Sequence, residues 1–162
     1  MAENRQIVIA SLPRGPLQPS DFELRRSGVP GVGEGRVLCR TLALTIGAGQ
    51  RAGLQGSASY AGPARAGSVM GGSGVARVEA SNAPDFSPGD LVTAPTGWQD
   101  YSALSPRHLT KIDDSADPVL HLGALGTNGL TAYFGLLEVG RAKAGETVVV
   151  SAAAGSVGHM VG

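Results

Sequence analysis

A single cysteine, Cys39, stands in a chain of 162 residues. One thiol closes no internal disulfide, and no cysteine cluster is there to hold a metal. Its neighbours Leu38, Leu42 and Leu44 read it as a small buried hydrophobe on a strand. Aromatics are equally scarce, at 4%, so the core must be packed from Val, Leu, Ile and Ala. No sign of charge is in excess: 13 Lys and Arg meet 13 Asp and Glu. A polyanion-binding protein needs a basic surplus, so no nucleic-acid partner is expected. Long apolar runs are few. Ile7–Leu12 is too short for a signal-peptide core and is cut by Pro13. Pro118 to Leu137 carries no charge and is long enough to span a bilayer. It also holds His121, Thr127, Asn128, Thr131 and four glycines, a poor composition for insertion. It reads as a buried helix, and no membrane partner and a cytoplasmic location are expected.

What is abundant is glycine, 25 residues, with 10 prolines and 42% hydrophobic residues. That describes a turn-rich folded chain. After a turn-dense stretch over 13–35, holding the extended Phe22-Glu-Leu-Arg-Arg, a β-rich run covers Val37 to Ile46. Residues 47–74 are glycine-rich and aperiodic, and long loops are expected there. Gly74-Val-Ala-Arg-Val-Glu-Ala alternates, placing Val78 on one face and Arg77 and Glu79 on the other. Ser87-Pro-Gly-Asp carries type II turn chemistry, since its second central residue needs φ > 0. Strands are expected at Leu91–Ala94, Trp98–Leu104 and Leu109–Ile112. Short strands with Gly/Pro turns suit a small antiparallel barrel or sandwich.

The pattern changes near Asp117. Asp117-Pro118 is a helix start: a capping acceptor precedes a proline whose missing N–H is not needed there. A second helix is expected from Asn128 to Val139, with Leu130, Tyr133, Phe134 and Leu137 on one stripe. Gly140 is the expected C′ residue, and Lys143-Ala-Gly-Glu a turn. Thr147-Val-Val-Val-Ser then reads as a strand buried on both faces of a parallel sheet.

That strand leads into Ser151-Ala-Ala-Ala-Gly-Ser-Val-Gly-His-Met-Val-Gly162. Ala153, Gly155 and Gly158 fall on the three positions of a G-x-G-x-x-G dinucleotide fingerprint, with alanine at the first. Gly155 lets backbone N–H groups approach a pyrophosphate, Gly158 lets helix pack on strand, and the helix start faces the phosphates. The alternative is an ordinary strand-to-helix turn. Apolar Val148–Val150, with no neighbouring strand in this chain, would carry open edges prone to association.

The chain resembles the N-terminal part of the medium-chain dehydrogenase/reductases, in the zinc-independent NADPH-dependent branch of prostaglandin and alkenal double-bond reductases. The resemblance rests on Gly129-Leu-Thr-Ala-Tyr-Phe-Gly-Leu-Leu-Glu-Val-Gly and Gly145-Glu-Thr-Val-Val-Val-Ser-Ala-Ala-Ala-Gly-Ser-Val-Gly. Pro88-Gly-Asp-Leu-Val and Pro95-Thr-Gly-Trp-Gln-Asp-Tyr add weaker matches. It implies a mainly β chain with an α/β C-terminal part: a GroES-like, partly open barrel over 1–122 on the substrate side, then the truncated start of a Rossmann domain over 123–162. It implies NADPH as cofactor, with NADH left open, and reduction of the C=C bond of an enone or enal by hydride transfer. The full-length protein would be a homodimer.

The cofactor-binding residues implied are Ala153, Gly155, Ser156, Val157 and Gly158, with Thr127 and Thr131 from the preceding helix. The two threonines read equally as capping and core-facing hydroxyls. Where the branch has an Asp-Pro-Tyr-Met-Arg-like segment whose Tyr faces the substrate, this chain has Gly47-Ala-Gly-Gln-Arg51, keeping only the Arg. Arg51 and Trp98 are the substrate-side candidates, with packing the alternative for Trp98 and for Tyr101. The zinc relatives' Gly-His-Glu motif and four-cysteine lobe are absent from the sequence, and His108, His121 and His159 are read as isolated, so no metal is expected. No catalytic residue is nominated. Three other readings stay open: a free-standing GroES-like binding module without catalysis, a quinone reductase-like enzyme, and a cofactor domain completed by a second polypeptide.

Overall fold

The computed structural model describes residues 3–56 and 64–162. The chain forms two compact units, Met1–Asp113 and Asp114–Gly162.

The strands of the first unit all pair antiparallel. Strand β1 (Glu3–Ile9) pairs with β2 (Phe22–Gly28), Glu3 opposite Gly28 and Ile9 opposite Phe22. The other five strands are β3 (Val37–Leu44), β4 (Gly74–Ser81), β5 (Leu91–Ala94), β6 (Tyr101–Leu104) and β7 (Thr110–Ile112), in the order β6-β3-β4-β5-β7. The β3–β4 ladder shifts register between Leu38 and Cys39 and between Thr41 and Ala43. Such shifts add local bend and twist to a sheet. Small and β-branched side chains on the inner faces build the larger core: Val37, Cys39, Ala76, Val78, Val92 and Ala94, with Phe86 and Leu104 against them. A second cluster gathers Ile9, Leu54 and Met70 with Phe22 and Trp98. Between the turns, Ser87-Pro-Gly-Asp behaves as its chemistry demands, with φ +97° at Gly89.

Two sheets become one body where β1 meets the outer side of β6. Asn4, almost wholly buried, donates from Nδ2 to the Tyr101 carbonyl (3.0 Å) and accepts from the Tyr101 amide at Oδ1 (2.9 Å). A carboxamide thus replaces a backbone partner. Nearby, Arg5 grips Asp100 through Nε (2.8 Å) and Nη2 (3.0 Å). The Arg5 hydrogen bond holds the Asp100 carboxyl below its ordinary range.

The expected loops of 47–74 contain a helix, α1 (Ala48–Leu54). Two glycines, at 49 and 53, lower its intrinsic propensity, and tertiary bonds overcome this. Gln50 Oε1 accepts from the Gly47 amide (2.6 Å), while Nε2 donates to the carbonyls of Thr45 and Gly71 (both 3.0 Å). The rest of that loop, over 57–63, lies outside the described residues.

Cys39 is fully buried on β3. Burial disfavours the thiolate and pushes its pKa up to about 11, from an ordinary 9.0. The folded state therefore holds the proton more tightly than the unfolded chain. The resulting stability is fully present below pH 9.0 and is lost as pH rises toward 11. The native protein is expected to resist thiol reagents near neutral pH and to react once unfolded. Rapid stoichiometric labelling under native conditions would contradict the burial.

The second unit departs further from expectation. Pro118–Leu122 is a 3-10 helix, and Asp117 Oδ1 caps it by accepting from the Val119 amide (3.0 Å). Helix α2 (Thr127–Tyr133) follows, widening into a π-helical turn over Phe134–Val139. The expected buried helix is thus broken, and its apolar stripe is exposed: Leu130, Tyr133, Phe134 and Leu137 are 45–56% accessible. A stripe is buried only where an element faces it, and among the described residues of this unit only Ala132 is covered on α2. Gly140 has φ −70°, and the left-handed residue is Arg141 (φ 51°). Glycine is needed at 140 for room instead, since an added Cβ would lie 2.9 Å from the Leu136 carbonyl. The expected strand at Thr147–Ser151 is not formed, and Val149 is 90% exposed. Propensity extends such a run, but only a ladder partner makes it a strand.

Candidate nucleotide-binding turn

Downstream of that extended run the backbone turns sharply at Ala152, which takes φ 52°. Its carbonyl accepts from the Gly155 amide (2.8 Å). The short helix α3 (Gly158–Val161) then begins. Gly158 is required by space rather than by torsion, and Gly155 is closely confined. A Cβ on Gly158 would lie 2.3 Å from the Ala152 oxygen and 2.9 Å from Ala153 Cα. On Gly155 it would lie 3.1 Å from the same oxygen.

This turn borders an open cleft of about 600 Å³. Thr131, Ala132, Gly155, Ser156, Val157 and Gly158 are among the residues lining it. The structure therefore brings Thr131 together with four of the fingerprint residues. Thr127 contributes at one remove: its carbonyl accepts from Thr131 Oγ1 (2.6 Å). Ala153 meets the turn through its Cα, packed under Gly158. Among the described residues, the amides of Ser156 and Val157 donate to no backbone carbonyl. Close backbone approach and free amides suit the diphosphate of a dinucleotide, so these residues fit the cofactor implied by the resemblance. Among the described residues no charged side chain lines the cleft, so recognition there falls to backbone amides and hydroxyls.

Sequence reasoning passed over Ala152. Alanine carries no preference for the left-handed region, and only the folded backbone reveals it as the pivot.

The substrate-side candidates lie in the first unit. Arg51 is exposed on α1. Trp98 is half-buried, stacks on Phe22 with ring centroids 6.3 Å apart, and keeps Nε1 buried without a partner. Space beside it is tight: a Cβ on Gly72 would meet Trp98 Nε1 at 2.9 Å and Gln50 Nε2 at 2.8 Å. Tyr101 is half-buried on β6. Among the described residues, no three His, Cys, Asp or Glu side chains converge on a possible metal position. Nor is any helix among them long and apolar enough to cross a membrane.

Residues 5–112 match the family described as the N-terminal domain of oxidoreductase. The chain is 45% identical over 160 residues to the NADPH-dependent curcumin reductase of Escherichia coli (strain K12), covering 98% of this chain and 46% of that one. It is 42% identical to prostaglandin reductase 1 of Bos taurus, over 88% of this chain and 43% of the other. The chain belongs to the zinc-independent medium-chain dehydrogenase/reductase family. The fold agrees: CurA from Vibrio vulnificus, solved in complex with NADPH, superposes with a TM-score of 0.88 at 41% identity, over 98% of this chain and 47% of CurA. Within this family the unclosed five-stranded sheet is the partly open GroES-like barrel. The chain spans about half the length of the reductases it matches.

Proposed function

We propose that the protein, at full length, is an NADPH-dependent reductase of α,β-unsaturated carbonyl compounds. The carrying observation is the Ala152–Gly158 turn, where Gly158 admits no Cβ and where Ser156 and Val157, whose amides donate to no backbone carbonyl, line a cleft with Thr131. The resemblance to reductases named for NADPH, curcumin and prostaglandin points the same way. In this reading residues 1–122 form the substrate-side barrel and 123–162 open the dinucleotide-binding domain, in a protein that works as a homodimer.

Bound NADPH supplies hydride for the β-carbon of an enone or enal. The chain's part is to hold and orient it. Gly155 and Gly158 allow backbone contact with the diphosphate, the Ser156 and Val157 amides donate to it, and Ala153 packs beneath. Thr131, held by the Thr127 carbonyl, borders the same cleft. Arg51 and Trp98 are assigned to the substrate side. Charge developing on the substrate's carbonyl oxygen requires a pre-aimed donor, and no residue of this chain is assigned that role.

The test follows NADPH oxidation by the full-length protein with a simple enal, an aryl enone and a quinone. Enal- or enone-dependent turnover is expected, with deuterium from labelled NADPH recovered at the β-carbon. Turnover with the quinone alone would replace this reading by a quinone reductase.

A further inference from the structure

His159 is the second residue of α3, and its ring does something no other side chain of the glycine turn does. The Gly155 carbonyl accepts from the His159 amide (3.1 Å) and lies 2.8 Å from His159 Nδ1. A carbonyl can only accept, so Nδ1 carries the proton. One residue therefore occupies both lone pairs of this oxygen. Among the described residues no carboxylate pairs with the ring, so the carbonyl is its partner.

We propose that His159 is a positioning residue for the cofactor diphosphate, a role that rests on the nucleotide reading of this turn. The Gly155 peptide leads into the amides of Ser156 and Val157. With its oxygen tied back by the ring, that peptide plane is fixed, the Ser156 N–H on its opposite side stays turned away from the His159 ring, and no unpaired lone pair of the Gly155 carbonyl is left to repel an anion. The residue acts through the backbone and touches no reacting atom. An aliphatic side chain at 159 would leave the Gly155 carbonyl held by the backbone amide of residue 159 alone.

The test measures NADPH affinity and steady-state kinetics in the full-length protein carrying His159→Ala, His159→Phe or His159→Asn. Asparagine keeps a donor near the Nδ1 position; phenylalanine keeps the ring without it. A single exposed hydrogen bond of this kind corresponds to a loss of about threefold to tenfold in affinity. The expected result is that loss for Ala and Phe, seen in KM for NADPH with kcat unchanged, and recovery with Asn. Unchanged affinity in His159→Ala, or Asn as weak as Phe, overturns the proposal. Gly158→Val separates the two levels: if it binds NADPH like the parent, the nucleotide reading itself has failed. If Gly158→Val abolishes binding while His159→Ala does not, only the role of His159 has.

Discussion

Asn4→Ala is expected to be among the most damaging single substitutions in the barrel. Its carboxamide makes two hydrogen bonds to the Tyr101 backbone, at 3.0 and 2.9 Å, from an almost fully buried position. Alanine removes both partners at once and leaves a peptide N–H and C=O of β6 facing the gap. An unsatisfied buried group costs about 1–3 kcal/mol, so the total for the two groups is expected at roughly 2–6 kcal/mol. Asn4→Asp is no remedy, because a carboxylate can accept from the Tyr101 amide but cannot donate to its carbonyl. The comparison is Arg5→Ala, one residue along. Arg5 forms a well-aligned pair with Asp100, but its side chain is 62% exposed, and such pairs contribute about 1 kcal/mol or less. Urea unfolding of the three variants ranks them. If Asn4→Ala proves as mild as Arg5→Ala, the backbone bonds of Ile7 to Trp98 and of Asp100 to Arg5 hold the sheets together without this amide.

Gly158→Val carries the largest expected effect on cofactor binding. The added carbon would sit 2.3 Å from the Ala152 oxygen and 2.9 Å from Ala153 Cα. Both obstacles belong to backbone, so no rotamer change relieves them, and the helix must move away from the turn. Overpacking of this kind costs about 1–3 kcal/mol, which at its upper end is roughly a hundredfold in affinity. The measurement is NADPH titration of the full-length variant against Gly28→Ala, where an added carbon meets nothing within 4 Å. Loss of affinity in the first and none in the second is expected. Equal affinity in both would place the dinucleotide elsewhere.

Much of the barrel was legible because its signals are local. The type II turn at Gly89 follows from Pro88 and a glycine that pays nothing for φ > 0. The alternation of Val78 with Arg77 and Glu79 follows from the two-residue period of a strand. The capped start at Asp117 is likewise a matter of three adjacent residues. Helix α1 was hidden because glycine-rich composition argues against it, and the Gln50 bonds that hold it reach to Gly71, far along the chain. Asn4 gave no signal for the same reason: its partner is Tyr101.

At the nucleotide turn, residue spacing named Gly155 and Gly158, since a missing side chain is a property of the residue itself. It could not name Ala152 as the pivot, nor show that His159 folds its ring back onto the Gly155 carbonyl. Local chemistry thus determined the turns, the caps, the strand faces and the place of the buried thiol. Tertiary structure alone decided that the Leu130–Leu137 stripe lies open, that Thr147–Ser151 forms no ladder, and that the Asn4 carboxamide pairs with the Tyr101 backbone where two sheets meet. The physical reason is common to all three: burial and pairing are properties of two surfaces, and a sequence window holds only one of them.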